Sequence, residues 1–227
     1  MAVLSPHLDD AALSLGAAVA AWSREGAEVR VVTVLAGRPD STLPAGPWDL
    51  ATGFATEGEA TRARRLEDRS ACAALGATAV WLDHADEQYD RGGTDDEIWP
   101  EILDGVAGAS TVLAPGFPLS HRDHAWLALM TLTRRDPAWR VGLYVEQPYA
   151  IGAGRPRDHR ERFGFEPAFV PIRTSWRHRR AKRRALEAYG SQHRQLGWVV
   201  SGTWADLQRR LVAQERRRGG EMVAWVT

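Results

Sequence analysis

The chain has one cysteine, Cys72, and one lysine, Lys182, in 227 residues. A single cysteine excludes an intramolecular disulfide and leaves no C-x-x-C pair for redox or zinc chemistry. Cys72 lies in RLEDRSACAALGA, at helical spacing, and reads as a small buried residue. The apolar run from Ala11 to Trp22 is too short and too interrupted to span a bilayer. The first residues lack the basic segment of a signal peptide, so a cytoplasmic location is expected. There is no internal repeat, no low-complexity tract, no G-x-S-x-G and no P-loop. The Gly152–Arg155 stretch GAGR is not a dinucleotide fingerprint, because no strand–G-x-G-x-x-G–helix context precedes it.

Net charge is also absent, with 29 Lys and Arg against 29 Asp and Glu. The balance conceals an asymmetry. Residues 1–110 hold 8 Arg and 19 acidic residues, a net of −11, and the remainder carries +11. A basic second half, densest over Arg177–Arg184, suits phosphate or nucleic acid. It also suits a solvated surface that pairs with the acidic half. The second reading is preferred, so no nucleic-acid partner is expected, and a homo-oligomer stays open.

What is present is alternation. Apolar, β-branched runs at 2–5, 28–35, 78–82, 111–114 and 141–146 read as strands. Amphipathic stretches at 10–25, 56–75, 97–106 and 121–133 read as helices, the first two ending at Gly26 and Gly76. Such alternation predicts an α/β, Rossmann-like three-layer fold with a mostly parallel sheet. Residues 147–177 are loop-rich, and two basic helices are expected at 178–189 and 204–217. With no clean linker, the chain reads as one domain with a C-terminal elaboration. A chain of this length buries a full core without a structural metal.

Open parallel sheets bind ligands beyond the carboxyl ends of their strands. Two stretches there share a grammar. SPHLDD follows the first strand and SHRDH follows the fourth. Taken as one site, His7, Asp10 and His124 supply two imidazoles and a carboxylate, a catalytic zinc set with one position open. Adjacent side chains diverge, which leaves Asp9 free to act as a base beside one zinc ion per chain. His121 and His124, three apart on a helix, look into one cavity.

These residues carry a resemblance. SPHLDDAALSLG resembles the A/S-H-P-D-D signature of the LmbE-like, PIG-L-type N-deacetylase family. GFPLSHRDH resembles its H-P-D-H motif, RARRLEDRSACAALGA its R-x-x-E-D…LG helix, and KRRALEAYGSQ its K-x-x-A-x-x-x-Y-x-S-Q pattern. The matches run in order from residue 3 to about 192. The resemblance implies a zinc-dependent amidase that deacetylates N-acetylglucosamine-type conjugates. A thiol-conjugate amidase or natural-product deacylase would use the same set. On the matching positions His7, Asp10 and His124 are ligands, Asp9 is the general base, His121 stabilises the oxyanion and Asp123 supports from behind. Leu8, Ala11 and Arg122 depart from the pattern, standing where the family commonly has Pro, Glu and Pro. Arg122 is expected to place a cation at the rim.

For substrate contacts, Asp83 and Asp86 resemble positions lining the family's sugar site, and Arg69 is a candidate for hydroxyl binding. Asp123 is expected to bond the His121 ring and raise its pKa. His84 reads as a surface histidine, with substrate contact as the alternative, and His159, His178 and His193 read as surface or structural. Of the ten tryptophans, Trp48, Trp99, Trp176 and Trp198 lie in or near loops, where one or two would stack on a sugar.

Overall fold

The run AVLS at Ala2–Ser5 (β1) is buried along its whole length, as a parallel strand covered on both faces must be. In the computed structural model, which describes residues 1–153 and 163–226, β1 is an interior strand, third from one edge of a seven-stranded sheet. The other strands are β2 (Arg30–Thr33), β3 (Thr78–Trp81), β4 (Thr111–Phe117), β5 (Arg140–Val145), β6 (Val170–Ile172) and β7 (Glu221–Trp225). Their order is β3-β2-β1-β4-β5-β7-β6. The first five are parallel, and β7 runs antiparallel to both β5 and β6. The chain leaves β1 toward β2 and β3, then returns to β4 on β1's other side. The sheet therefore switches direction between β1 and β4, and a crevice opens beyond their carboxyl ends.

Eight helices are described: α1 (Asp10–Arg24), α2 (Pro47–Ala51), α3 (Glu57–Leu75), α4 (Asp95–Gly105), α5 (Arg122–Arg134), α6 (Trp176–Glu187), α7 (His193–Val199) and α8 (Trp204–Arg218). They form two cores. One packs α1, α3, α6 and α8 on one sheet face through Leu15, Cys72, Leu75, Leu186 and Leu207. The other packs α4 and α5 on the opposite face through Ile98, Ile102, Leu127 and Met130. No helix among the described residues is long and apolar enough to cross a membrane.

Strands β6 and β7 were not expected from the pattern. β6 is three residues long and contains Pro171, so it carries no readable period. β7 follows an arginine-rich helix directly, after Gly219 ends that helix at φ 83°. The same brevity hides α2 and α7.

The helix α6 lies close against α1 because position 16 is glycine. A β-carbon there would come within 2.8 Å of Cγ of Lys182. Lys182 is buried, and its ammonium donates at 2.6 Å to both Glu215 and Glu221. Glu221 also accepts from the backbone N–H groups of Ala17 and Ala18 in the middle of α1, at 3.1 and 2.7 Å. One lysine thus ties α1, α6, α8 and β7 together. Seven residues on, the Tyr189 hydroxyl sits 2.7 Å from both the Leu8 carbonyl and buried Asp68. Burial pushes the Asp68 carboxyl up to about 6. The KRRALEAYGSQ motif is therefore a brace, and it holds the loop that carries His7.

Candidate active site

Ser5 ends β1 and starts the site. Its hydroxyl donates to the His7 carbonyl at 2.6 Å and accepts the Ala11 N–H at 3.1 Å. This satisfies one of the free N–H groups at the start of α1 and folds the chain back. His7 then meets Asp10, whose Oδ2 lies 3.0 Å from both the His7 backbone N and ring Nδ1. From β4, His121 is the N-cap of α5, its Nδ1 accepting the Asp123 N–H at 3.3 Å. His124, in the first turn, is fully buried, with Nε2 3.1 Å from the same Asp10 Oδ2. The rings of His7, His121 and His124 form a triangle with centroid separations of 5.0–5.3 Å.

The charges favour a cation here. Burial alone would raise the Asp10 carboxyl, but His124 and then His7 hold it well below the carboxylate range. Against the opposing effect of burial, Asp10 and Asp123 raise His7 to about 10, and Asp10 and Glu146 raise His124 to about 9. The two imidazoliums balance carboxylates that a divalent ion would otherwise balance. Binding such an ion displaces their protons.

Among the described residues two trios could hold an ion: His7, Asp10, His124, and His7, His121, Asp123, each with donor atoms within 4.8 Å of one another. The second is disfavoured, because Asp123 is already engaged by Arg91 at 2.5 Å and by the Glu87 N–H at 3.3 Å. The first contains a buried His124 Nε2 that makes no hydrogen bond. That nitrogen, 3.1 Å from the Asp10 carboxylate and beside the His7 ring, fits a zinc-class ion.

Glu146, at the end of β5, was not foreseen. It is buried, and its Oε2 lies 2.7 Å from His124 Nδ1 while Oε1 accepts the Leu119 N–H at 3.1 Å. A carboxylate behind a ligating histidine fixes the ring's tautomer and aim. Its signal in the sequence was a lone acid closing the apolar run VGLYVE. Glu146→Gln is expected to weaken zinc binding by about 10–100-fold, read by chelator competition. Unchanged affinity would show that His124 is oriented without it.

A cavity of about 120 Å³ opens over this cluster, and Asp9 lies in its wall. Asp9 is mostly buried, and its carboxylate bonds no other described side chain. Burial and then Asp10 raise its pKa, with Arg64 and His7 opposing. Asp86 lines the cavity, as do Glu87, Gln88, Trp48, Tyr149, Gln192 and Arg64. Trp48 Nε1 donates to Gln192 Oε1 at 2.6 Å, which joins the 38–54 loop to the KRRALEAYGSQ motif.

Five expectations need correction. Arg69 is exposed and lies over the Trp81 ring, 5.1 Å from its centroid; the cavity arginine is Arg64, which shares the buried face of α3 with Asp68 and Cys72. Asp83 points outward to Arg65 at 2.6 Å, and exposed Arg122 does not line the cavity. His84 is buried rather than superficial and pairs with Glu101 at 3.1 Å. The Asp123 carboxylate turns to His7, at 3.2 Å, and to Arg91 instead of the His121 ring. His121 is consequently lowered by burial and then by His7 and His124, although Glu87 stands 3.4 Å from its Nε2. Of the tryptophans only Trp48 reaches the cavity; Trp99 is core, and Trp176 and Trp198 are exposed elsewhere. His178 sits in the α6 capping box and His193 stacks on Trp204 at 4.1 Å. His159 lies outside the described residues.

Residues 2–134 match the family described as GlcNAc-PI de-N-acetylase, PIG-L. The chain belongs to this family. Among solved structures it is similar to the A40926 pseudoaglycone deacetylase Dbv21, at 25% identity and TM-score 0.79, covering 99% of this chain and 95% of that one. It is similar to the zinc-inhibited form of teicoplanin deacetylase Orf2, at 23% and 0.79, covering 100% and 97%. It is also similar to the N,N'-diacetylchitobiose deacetylase of Pyrococcus horikoshii, at 16% and 0.65, covering 99% and 82%. No curated protein sequence matches. The PIG-L chain is a deacetylase, a hydrolase of amide bonds, and its donor set agrees with zinc as the cofactor.

Proposed function

We propose that this PIG-L chain removes the N-acetyl group from an amino sugar carried on a larger natural-product scaffold. The observation that carries the reading is the Asp9 carboxylate in the cavity wall, beside the converging His7, Asp10 and His124 donors. His7, Asp10 and His124 would hold zinc, which supplies Lewis acidity toward the amide carbonyl. Asp9 takes a proton from the attacking water and returns it to the departing amine, so amide and water become acetate and free amine. The Asp123 N–H occupies Nδ1 of His121, so the neutral ring carries its proton on Nε2. His121 therefore donates to the developing oxyanion without being charged, in keeping with its lowered pKa.

The pocket has two kinds of wall. Asp86, Glu87 and Gln88 offer partners for sugar hydroxyls, whereas Trp48, Leu196 and Val199 offer apolar surface for an attached scaffold. The glycopeptide deacetylases among its structural neighbours support a scaffold of that kind. The test is amine release by zinc-loaded protein from N-acetyl amino sugars, free and scaffold-borne. Scaffold-borne sugars should react faster. Release from none of them would overturn the reading.

A further inference from the structure

A second cavity of about 630 Å³, larger than the first, lies between α6 and α8 and shares no lining residue with the active site. Its walls follow from helical spacing. Trp176, Arg179, Arg180 and Arg183 recur at i, i+3, i+4 and i+7, one stripe of α6. Val212 and Arg216, four apart on α8, face them across the cleft. Arg180, Arg183 and Arg216 are exposed, and no described carboxylate pairs with them. The acid in the lining, Glu215, is engaged by Lys182, which also donates to Glu221. Trp176 is 61% exposed at the cleft, with the Arg177 guanidinium 5.5 Å from its ring centroid, and buried Leu186 adds apolar surface.

We infer that this cleft binds a nucleoside diphosphate or a closely similar aromatic organic phosphate. Three guanidiniums with no carboxylate partner among the described residues match the two to three charges of a diphosphate and bind phosphate by paired N–H donors. The exposed Trp176 indole offers a stacking surface to a flat base. The volume lies in the range of small-molecule pockets. A simple solvated face would present the arginines alone, without a cleft or an exposed tryptophan beside them.

The test is calorimetry on the full chain with uridine diphosphate, uridine and inorganic pyrophosphate at one fixed salt concentration. Uridine diphosphate should bind best and uridine least. Arg183→Ala and Arg216→Ala should each weaken uridine diphosphate about tenfold, the loss of one charge-assisted contact. Trp176→Ala should weaken uridine diphosphate and leave pyrophosphate unchanged. Arg210→Ala, on exposed α8 surface outside the lining, should change nothing. All four substituted side chains are exposed, and an unchanged Tm verifies the fold. The inference is overturned if Arg210→Ala costs as much as Arg216→Ala, because the effect is then diffuse charge. It is equally overturned if Trp176→Ala has no effect on uridine diphosphate, or if a DNA duplex binds more tightly and displaces it.

Discussion

Asp9→Asn is expected to keep its zinc and lose turnover by a factor on the order of 10²–10⁴, the usual worth of a positioned general base. The amide is nearly isosteric with the carboxylate but accepts no proton. Asp9 is not among the atoms that converge on Asp10 Oδ2, so the metal trio is unaffected. Burial and the neighbouring Asp10 make it a stronger base than an ordinary surface aspartate. The informative comparison is with His121→Ala. That variant also keeps zinc, but loses an oxyanion donor, a cost on the order of 10²–10³ in kcat. Metal analysis beside saturation kinetics separates the cases. Near wild-type kcat in Asp9→Asn would remove Asp9 from the chemistry, and lost zinc would make it a ligand.

Lys182→Met should destabilise the fold by about 3–5 kcal/mol, since removing one partner of a buried ion cluster strands the others. Here the stranded groups are Glu215 and Glu221, and Glu221 also receives two α1 backbone N–H groups. In the native protein Glu215 and then Glu221 hold the lysine ammonium above its ordinary value, against burial. Its stabilisation is therefore complete below the unfolded pKa, near 10.4, and is lost only as pH rises beyond it. In the variant Glu221, whose carboxyl burial raises, keeps its proton more firmly folded than unfolded. The variant's stability accordingly falls as pH climbs through the carboxylate range. The gap between the two proteins should be small near pH 4 and wide near pH 7 by urea denaturation. Adding Glu215→Gln should recover part of the loss. A gap that does not vary with pH would mean that the cluster is not held by charge.

The parallel sheet and the convergence of two loops were legible because they depend on local pattern and chain order. Five strands and the longer helices announce themselves by period, and a strand-to-helix handover bearing His and Asp names its own position. Long-range choices were not legible. Arg64 and Arg69 stand five residues apart on one helix, and only the packing of α3 against α6 decides which turns inward. Glu146 looks like the end of a strand until His124 is placed beside it. The direction in which Asp123 points depends on Arg91, which arrives from a loop 32 residues earlier. That one orientation reverses the expected charge preference of His121. The edge strands β6 and β7 pair antiparallel across segments too short to carry a period.

The only thiol and the only lysine amine in the chain are both internal, and both lie on the same side of the sheet. Cys72 is packed in the layer of α1 and α3, and burial pushes its pKa up. Lys182 is held over Gly16 between two carboxylates. An alkylating reagent therefore meets no cysteine, and an acylating reagent no lysine, until this layer opens. The chain carries two separate clocks for breathing motions, one on α3 and one on α6, and neither needs an engineered probe. When opening is brief compared with modification, each rate reads the free energy of exposing its own helix. Their ratio then tells whether the brace formed by Lys182 lifts away before α3 does, or whether the whole layer comes apart as one unit.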